Sequence, residues 1–197
     1  MNTLKAEKRS MDVKAKKLRR EGFVTGNLFG REIEGSIPLK FTKKEIEVLL
    51  KNNNKGSQVM LELDGKTYDA LIKEVDYNPL AHTVEEVDFQ ALVSNEMVHS
   101  TAEIILENEE KVMSGVLQDE LKEVAYKALP ADLVDNIKVD VAGMKIGDTL
   151  RVKDLEIAKN KNIHITTDPE AVVATVTPVH NVVPETETEA EETAEEK

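Results

Sequence analysis

The chain has 197 residues, enough for one large domain or two small ones, and its formal net charge at pH 7 is −12. Hydrophobic residues make up 40% of it and aromatic residues only 4%, which is typical of a globular protein with a Val, Ile and Leu core. Cysteine is absent, so disulfides, thiolate zinc sites and cysteine nucleophiles are excluded. With no apolar run near the roughly 18 residues of a membrane span and no secretory signal, we expect a cytoplasmic protein without membrane contacts.

Positive charge is concentrated in the first 22 residues of this acidic chain. They hold eight cationic side chains and three carboxylates, a net charge of +5, so the remainder carries −17. Because an acidic protein repels polyanions overall, a local cationic block favours a directed contact with phosphates. A merely solvated, charge-rich segment is the alternative, and the pattern alone leaves both open. The densest part of the block, which contains no acid, consists of Lys14, Lys16, Lys17, Arg19 and Arg20.

The basic segment has the spacing of a short helix over residues 11–20, capped by Ser10 and ended at Gly22. One stripe of this helix, which we expect to dock on strands, is formed by Met11, Ala15 and Leu18. The cationic side chains then cover the remaining surface, with Arg9 just before the helix. Such a face can neutralise several phosphates and release their counterions. Its apolar stripe is too small to insert into a membrane.

The rest of the first half has mainly the pattern of strands. Apolar and polar residues alternate over 59–63, and the Asp64-Gly65 pair that follows can supply the positive φ angles of a tight turn. Residues 68–72 then have the pattern of a second strand, so this segment predicts a hairpin. Glycine-interrupted or turn-bounded strands are further predicted at residues 23–29, 33–41 and 84–93. One helix interrupts the strands, because Thr42 and Glu45 have the spacing of a capping box before a periodic apolar stretch.

A second set of short strands follows the loosened pattern at residues 94–100. It is predicted at residues 102–106, 124–129, 137–141, 149–152 and 172–176. No fixed-period repeat relates the two halves, so we expect two different, mostly β domains. Residues 184–197 hold seven glutamates against one lysine and nothing to bury, which predicts a disordered acidic tail. The tail serves solubility or, alternatively, competes electrostatically for the basic segment.

Catalytic and metal-binding patterns are missing from the sequence. The four histidines, His82, His99, His164 and His180, are scattered without metal-ligand spacing. Neither a phosphate-binding loop nor a dinucleotide fingerprint appears, and no serine has a nucleophile-elbow motif around it. We therefore expect no enzymatic activity, no cofactor and no protein metal site.

Several short motifs, in order, carry a family resemblance. The first half contains residues 17–22, Leu-Phe-Gly at 28–30 and Asp-Phe-Gln at 88–90; the second contains Leu-Pro-Ala-Asp-Leu at 129–133 and Ile-Gly-Asp-Thr-Leu at 146–150. Over about residues 3–178 the chain resembles the bacterial ribosomal large-subunit protein 25 family, in the longer two-domain form called Ctc, a general stress protein. The resemblance implies a six-stranded β-barrel with short helices that binds 5S ribosomal RNA at loop E, in the central protuberance of the large subunit.

The family's functional positions can be carried over onto this sequence. Arg9 and Arg19 match basic positions that contact RNA, and Asp88 matches the aspartate of a His-x-Asp-Phe motif. The surrounding basic cluster of the family is matched by Lys14, Lys16, Lys17 and Arg20. Phe29 stands where a tyrosine is usual, and Glu86 stands where the motif has histidine. Because a carboxylate near phosphates is repelled, Glu86 predicts weaker or altered RNA binding than in typical members.

These interpretations combine into one organisation. We expect a mainly β protein with a 5S rRNA-binding barrel at residues 1–93, a C-terminal β domain at 94–180 and an acidic tail at 181–197. The first hypothesis is a structural ribosomal protein, cytoplasmic and ribosome-associated, monomeric when free, whose second domain touches neighbouring large-subunit components. The alternative is a stress-associated protein-interaction module with weak or no 5S rRNA binding, which Phe29 and Glu86 leave open.

Overall fold

The computed structural model describes residues 3–112 and 115–178, and the predicted acidic tail lies outside them. Within the described residues the protein is mainly β, as predicted. Its strands are β1 Thr3–Lys8, β2 Phe23–Phe29, β3 Ser36–Thr42, β4 Gln58–Leu63, β5 Lys66–Asn78, β6 Thr83–Ala91, β7 Val98–Glu107, β8 Val116–Asp119, β9 Glu123–Ala128, β10 Asn136–Asp140, β11 Thr149–Arg151, β12 His164–Ile165 and β13 Val172–Thr177. Its α-helices are α1 Ala15–Arg20 and α2 Lys43–Asn52, and its 3-10 turns are Glu109–Lys111, Pro130–Asp132, Val152–Asp154 and Glu156–Lys159. No helix of this described part is long and apolar enough to cross a bilayer.

The first six strands form a closed barrel in the order β1-β3-β2-β6-β5-β4, which confirms the expected six-stranded barrel. Closure depends on β1, which pairs antiparallel with β3 and parallel with β4. The sequence reading did not predict β1, because only Leu4 and Ala6 alternate as buried residues there among charged neighbours. The N-terminal segment is therefore both a barrel strand and the start of the basic block.

Two local predictions in the barrel are confirmed. Asp64 and Gly65 have φ angles of 50° and 77° and connect β4 to β5 in a two-residue turn, with Leu63 opposite Lys66. The Thr42 hydroxyl accepts from the Glu45 amide, and the Glu45 carboxylate accepts from the Thr42 amide, so the capping box begins α2 as expected. The predicted strand at 33–41 begins only at Ser36, since the Ile33 amide donates to the Gly30 carbonyl in a turn.

The barrel core is built from the inward-facing residues of all six strands and from α2. Phe41 and Phe89 are its largest side chains, with ring centroids 5.4 Å apart and planes tilted by 55°. A Cβ on Gly26 of β2 would lie 2.0 Å from the Val87 carbonyl oxygen. The backbones of β2 and β6 therefore approach at this point more closely than any side chain permits.

The remaining strands form two sheets around a second core. A four-stranded sheet has the order β10-β7-β9-β12, and a three-stranded sheet has the order β11-β13-β8. Tyr126 of β9 is fully buried between them, and its hydroxyl donates to the Val134 carbonyl at 2.9 Å and accepts from the Val134 amide at 2.8 Å. The predicted boundary at residues 93 and 94 falls between β6 and β7 and stays a prediction.

The barrel touches the four-stranded sheet through the loop that precedes β4. The Ser100 hydroxyl donates to the Gly56 carbonyl at 3.3 Å, and a Cβ on Gly56 would lie 1.9 Å from the Thr101 carbonyl oxygen. On either side of this approach, the Lys73 ammonium donates to the His99 carbonyl at 2.7 Å, and Lys55 pairs with Glu123 at 3.7 Å. This junction joins the two β units by polar contacts and close backbone packing.

Candidate nucleic-acid interface

The basic helix docks on the barrel, but it is shorter than predicted. It begins at Ala15 with Lys14 as its N-cap residue, instead of beginning at residue 11. The Ser10 hydroxyl bonds with the Asp12 carboxylate and accepts from the Asp12 amide, a local turn that competes with helix capping. Met11 is consequently 76% exposed, and Leu18 anchors the helix as its buried residue. The predicted end at Gly22 is confirmed, with a φ of 89° after the last turn.

Four basic side chains on and before this helix are exposed to solvent. Among the residues that the structure describes, the one salt bridge of these four is a long contact of 3.9 Å between Lys17 and Glu21. They lie in the N-cap and the six residues of α1, so their charges are displayed within about 10 Å along the helix axis. The four are Lys14, Lys16, Lys17 and Arg20.

Arg19, by contrast, is turned onto the barrel and held by two carboxylates. Its Nη1 lies 3.1 Å from Glu85 Oε2, and its Nη2 lies 3.2 Å from Glu86 Oε2. Its Nε also donates to the Glu85 backbone carbonyl at 3.1 Å. The Arg19 side chain is 31% exposed, so its guanidinium reaches solvent while most of its donors are already used. In the free protein, the positive charge of Arg19 is therefore largely compensated.

The outward face of β2 connects Arg19 to the other predicted site residues. The strand alternates, so Thr25, Asn27 and Phe29 point away from the core that Val24 and Leu28 fill, although Thr25 is itself fully buried. Arg19 Nη2 lies 3.5 Å from the Thr25 hydroxyl, at the start of this face. Phe29 is half-buried at its other end, beside Gln90 of β6.

Arg9 and Asp88 lie on the same face, on either side of β2. The Arg9 amide donates to the Pro38 carbonyl, Pro38 is opposite Asn27, and the Asn27 amide donates to Asp88 Oδ1 at 3.0 Å. With strands about 4.8 Å apart, Arg9 and Asp88 are separated by three strand spacings, about 14 Å. The structure therefore places Arg9, Arg19, Phe29 and Asp88 on one surface, together with the exposed face of α1.

Arg9 itself is half-buried beside the turn that precedes α1. Its Nη2 donates to the Val13 carbonyl at 3.2 Å, whereas its Nε is buried with no hydrogen-bond partner among the described residues. The guanidinium is thereby fixed against the loop and keeps part of its donor capacity unused. An arginine held in this way is prepared for a charge-assisted hydrogen bond to an oxygen ligand.

Asn27, which sequence reasoning missed, is the hydrogen-bond centre of this surface. Its Nδ2 donates to Asp88 Oδ1 at 3.0 Å and to Glu86 Oε1 at 3.3 Å. Glu85 was also missed; it accepts from Arg19 and from Asn78 Nδ2, the latter at 2.7 Å. The available signal was the alternation of β2 and β6, which puts residues 25, 27 and 29 outward. The identity of the Asn27 partners, which lie about 60 residues away along the chain, depends on the register between β2 and β6 and not on sequence spacing.

A strip of carboxylates borders the basic side chains. Glu74 is opposite Asp88 and Asp76 is opposite Glu86, and these four side chains line a shallow concavity of about 130 Å³. Within residues 3–112 and 115–178, no cluster of acidic and histidine side chains has the arrangement of a metal site. The surface thus combines an exposed cationic helix with an anionic strip, and Arg19 bridges the two.

This combination is suited to phosphate contacts and to selective polar contacts. The exposed lysines and arginines can neutralise phosphates with little desolvation, because they already lie in water. Asp88 can accept from a hydroxyl or base amino group, but its Oδ1 is shared with both Asn27 donors. The half-buried Phe29 offers an aromatic face without the hydroxyl of a tyrosine.

Comparisons with known proteins assign both halves of the chain. The model of the Ribosomal L25p family matches residues 4–89, and the model described as Ribosomal protein TL5, C-terminal domain, matches residues 97–180. The first match covers all but the outermost residues of the barrel and includes Arg9, Arg19, Phe29 and Asp88. The second contains β7 to β13.

Curated relatives match the two halves together. The large ribosomal subunit protein bL25 of Carboxydothermus hydrogenoformans is 32% identical over 190 residues, covering 92% of this chain and 94% of the relative. The protein of the same name from Bacillus velezensis is 31% identical over 183 residues, covering 90% and 89%. That from Thermoanaerobacter sp. is 30% identical over 164 residues, covering 82% and 81%. At this identity and coverage, the chain belongs to the family of the bacterial large ribosomal subunit protein bL25, in its longer two-domain form.

Proposed function

We propose that this chain, a structural, non-enzymatic constituent of the large ribosomal subunit, binds 5S rRNA at its loop E region through the outer face of the barrel. The observation that carries the proposal is that α1, β2, β6 and the segment after β1 bring Arg9, Arg19, Phe29 and Asp88 onto one surface beside the exposed cations of α1. The family resemblance supplies the identity of the RNA and its place in the central protuberance.

The geometry supports recognition of an RNA helix by its shape. A-form RNA presents a wide, shallow minor groove with phosphates and 2′-hydroxyls, which a convex protein surface can follow. The α1 cations contact phosphates, and Arg9 adds a fixed guanidinium. Asp88 accepts from a base or hydroxyl donor, and the non-standard pairs of loop E supply the shape that distinguishes this site from other RNA.

Charge reversal tests this proposal. In the full-length chain, Arg19→Glu combined with Lys16→Glu is expected to weaken 5S rRNA binding at least tenfold at 0.1 M salt. It should also reduce the slope of log K against log salt concentration by about 1 to 2, because each lost phosphate contact removes about 0.9. The matched control is Lys51→Glu with Lys145→Glu. It makes the same change in net charge at two exposed lysines that lie outside the candidate RNA-binding surface. Equal behaviour of the two double variants would contradict the proposal.

The ion pairs of Arg19 favour a second candidate function. A guanidinium already bound to Glu85 and Glu86 beside an acidic strip contributes less to a phosphate contact than a free one. In that case the protein acts as a stress-associated protein-interaction module with weak or no 5S rRNA binding. Wild-type protein that remains unbound to 5S rRNA at 0.1 M salt, but is bound by a ribosomal protein, would establish this alternative.

A further inference from the structure

A row of basic side chains crosses the exposed face of the four-stranded sheet, far in sequence from the basic helix. Lys127 of β9 lies directly opposite His99 of β7 on one side and His164 of β12 on the other. All three side chains are exposed, whereas the adjacent Ser100 and Tyr126 are buried on the inner face. At about 4.8 Å between neighbouring strands, these three side chains span about 10 Å.

Lys73 of the barrel extends this row at the junction. Its ammonium donates to the His99 carbonyl at 2.7 Å. Burial lowers the pKa of Lys73, and the nearby charge of Lys55 lowers it further, while Glu74 acts in the opposite direction. We call Lys73, His99, Lys127 and His164 the basic row.

In the part of the chain that the structure describes, the basic row has no salt bridge to compensate its charge. Like charges directly opposite each other across strands are destabilising. Among the described residues, no carboxylate makes an ion pair within 4.0 Å of any member of the row. The neighbouring charges also affect His99. Desolvation lowers the pKa of its imidazole, and the charges of Lys127 and Lys73 lower it further.

A pair of acids on the same sheet face shows the contrast. Glu103 and Glu123 are also directly opposite each other. Each has a partner across the junction, because Asn54 Nδ2 donates to Glu103 and Lys55 pairs with Glu123 at 3.7 Å. The protein therefore compensates this acidic pair internally and leaves the basic row open, although its overall charge is −12.

We infer that the basic row is a second RNA contact, which binds phosphates of the ribosomal RNA backbone outside the barrel surface. A row of about 10 Å is long enough to contact more than one phosphate of an RNA backbone. The lysine ammonium groups provide point charges and the imidazoles provide ring N–H donors, and both can contact phosphates of the RNA backbone. The inference rests on the role of the chain in the large subunit and not on which RNA the barrel binds.

The competing ligand is a protein neighbour. Met97 and Leu129 are partly exposed beside the row, at 44% and 36%, and would serve an acidic protein segment as apolar contacts. The observations favour RNA, because two lysines and two imidazoles lie in one row that has no ion pair among the described residues, and an RNA backbone supplies several phosphates within the length of this row. The test is therefore designed to distinguish RNA binding at the basic row from binding of a protein.

The test measures binding of the full-length chain to large subunits from which this protein has been removed, at constant Mg²⁺ and varied monovalent salt. Lys127→Gln is expected to raise Kd about three- to tenfold at 0.1 M salt and to lower the salt slope by about 1, the value for one lost phosphate contact. Lys122→Gln is the matched control, because Lys122 is an exposed lysine immediately before β9 and about 17 Å from Lys127 at about 3.4 Å per residue. The thermal midpoint of free Lys127→Gln should equal or exceed that of the wild type, because repulsion between Lys127 and its neighbours is removed.

Arg19→Glu separates this inference from the proposed barrel function. If Lys127→Gln binds more weakly and has a lower salt slope, the inference is supported, whatever the affinity of Arg19→Glu. If Arg19→Glu binds normally, that result counts against the barrel proposal alone. If Lys127→Gln binds like Lys122→Gln, the inference is overturned even when Arg19→Glu fails. Lost affinity without a change in salt slope, or lost association with a ribosomal protein while RNA binding is normal, also overturns it.

A second readout uses the imidazole of His99. Desolvation lowers the pKa of His99, and the charges of Lys127 from β9 and Lys73 from β5 lower it further, so protonation of this imidazole is disfavoured in the free protein. Phosphates favour the imidazolium, so wild-type affinity for the depleted subunits should rise about two- to fivefold between pH 7.5 and pH 6.0. His99→Gln should show a smaller increase, because His164 of the row remains, and an equal increase in His99→Gln and wild type would count against phosphate binding at the row.

Discussion

At the scale of single residues, Glu86 determines how much charge Arg19 offers to a ligand. Its carboxylate accepts from Arg19 Nη2 at 3.2 Å and from Asn27 Nδ2 at 3.3 Å. Both groups are about one-third exposed, so the ion pair is worth about 1 kcal/mol or less to the fold. Its larger effect is on binding, because a phosphate that approaches Arg19 meets the field of Glu86 as well.

Glu86→Gln should therefore strengthen RNA binding. The amide keeps the size of the side chain and a carbonyl acceptor for Arg19, but it removes the negative charge. We expect the Kd for 5S rRNA at 0.1 M salt to fall about three- to tenfold, up to about 1.4 kcal/mol. Titration of the full-length variant across salt concentrations measures the effect. Glu62→Gln on β4 is the control, because it removes one charge elsewhere on the barrel, and equal affinities would show that Glu86 does not limit binding.

The sequence was sufficient for the residues that match family motifs but not for their partners. Arg9, Arg19, Phe29 and Asp88 were selected by motif and charge, and the structure places them on one surface. Their role in RNA binding stays a prediction. Asn27 was missed because its contacts join strands about 60 residues apart, where one-residue differences in register decide which side chains meet. Glu85 was missed because its contact with Arg19 depends on how helix α1 docks on the barrel.

At the scale of strands, the approach of β2 to β6 requires a glycine. Gly26→Ala would place a methyl group 2.0 Å from the Val87 carbonyl oxygen, and backbone atoms cannot move aside as a flexible side chain would. We expect a loss of about 3 kcal/mol in the free energy of unfolding and a Tm lower by about 10 °C or more, measured by thermal unfolding.

Gly143→Ala is the control for this substitution. No atom lies within 4 Å of the position of its Cβ, so the free energy of unfolding should change by no more than about 0.5 kcal/mol. The argument about β2 and β6 would be wrong if Gly26→Ala unfolded at the same temperature as Gly143→Ala.

The elements that sequence reasoning found are those with local signals. The Asp64-Gly65 turn and the Thr42 capping box depend on neighbouring residues and were located correctly. The strand β1 was missed because its stability comes from pairing with β3 and β4, not from its own two buried residues. Helix α1 was predicted too long, because the Ser10 side chain bonds to Asp12 in a turn instead of capping a helix.

At the scale of the whole molecule, the two β units were foreseen from the lack of a repeat and the shift in pattern. Their junction was not, because its contacts join residues 26 to 49 positions apart and are mostly polar. The junction also brings Lys73 of the barrel to His99 of the next sheet, so the basic row continues across both units. A change in the junction would therefore alter the path that RNA could follow between the barrel surface and the row.

Gly56 is the position at which this junction can be tested. Its φ of 92° favours glycine, and a Cβ there would lie 1.9 Å from the Thr101 carbonyl oxygen. Gly56→Ala should therefore separate the barrel from β7, with a larger radius of gyration in small-angle X-ray scattering. Gly35→Ala is the matched control, because Gly35 has a φ of 78° but no atom within 4 Å of its Cβ position. Gly35→Ala should lower the free energy of unfolding by about 1 to 2 kcal/mol, the cost of a left-handed backbone for a residue with a Cβ, and should keep the wild-type radius of gyration. If both variants keep that radius, close packing at Gly56 does not hold the two units together.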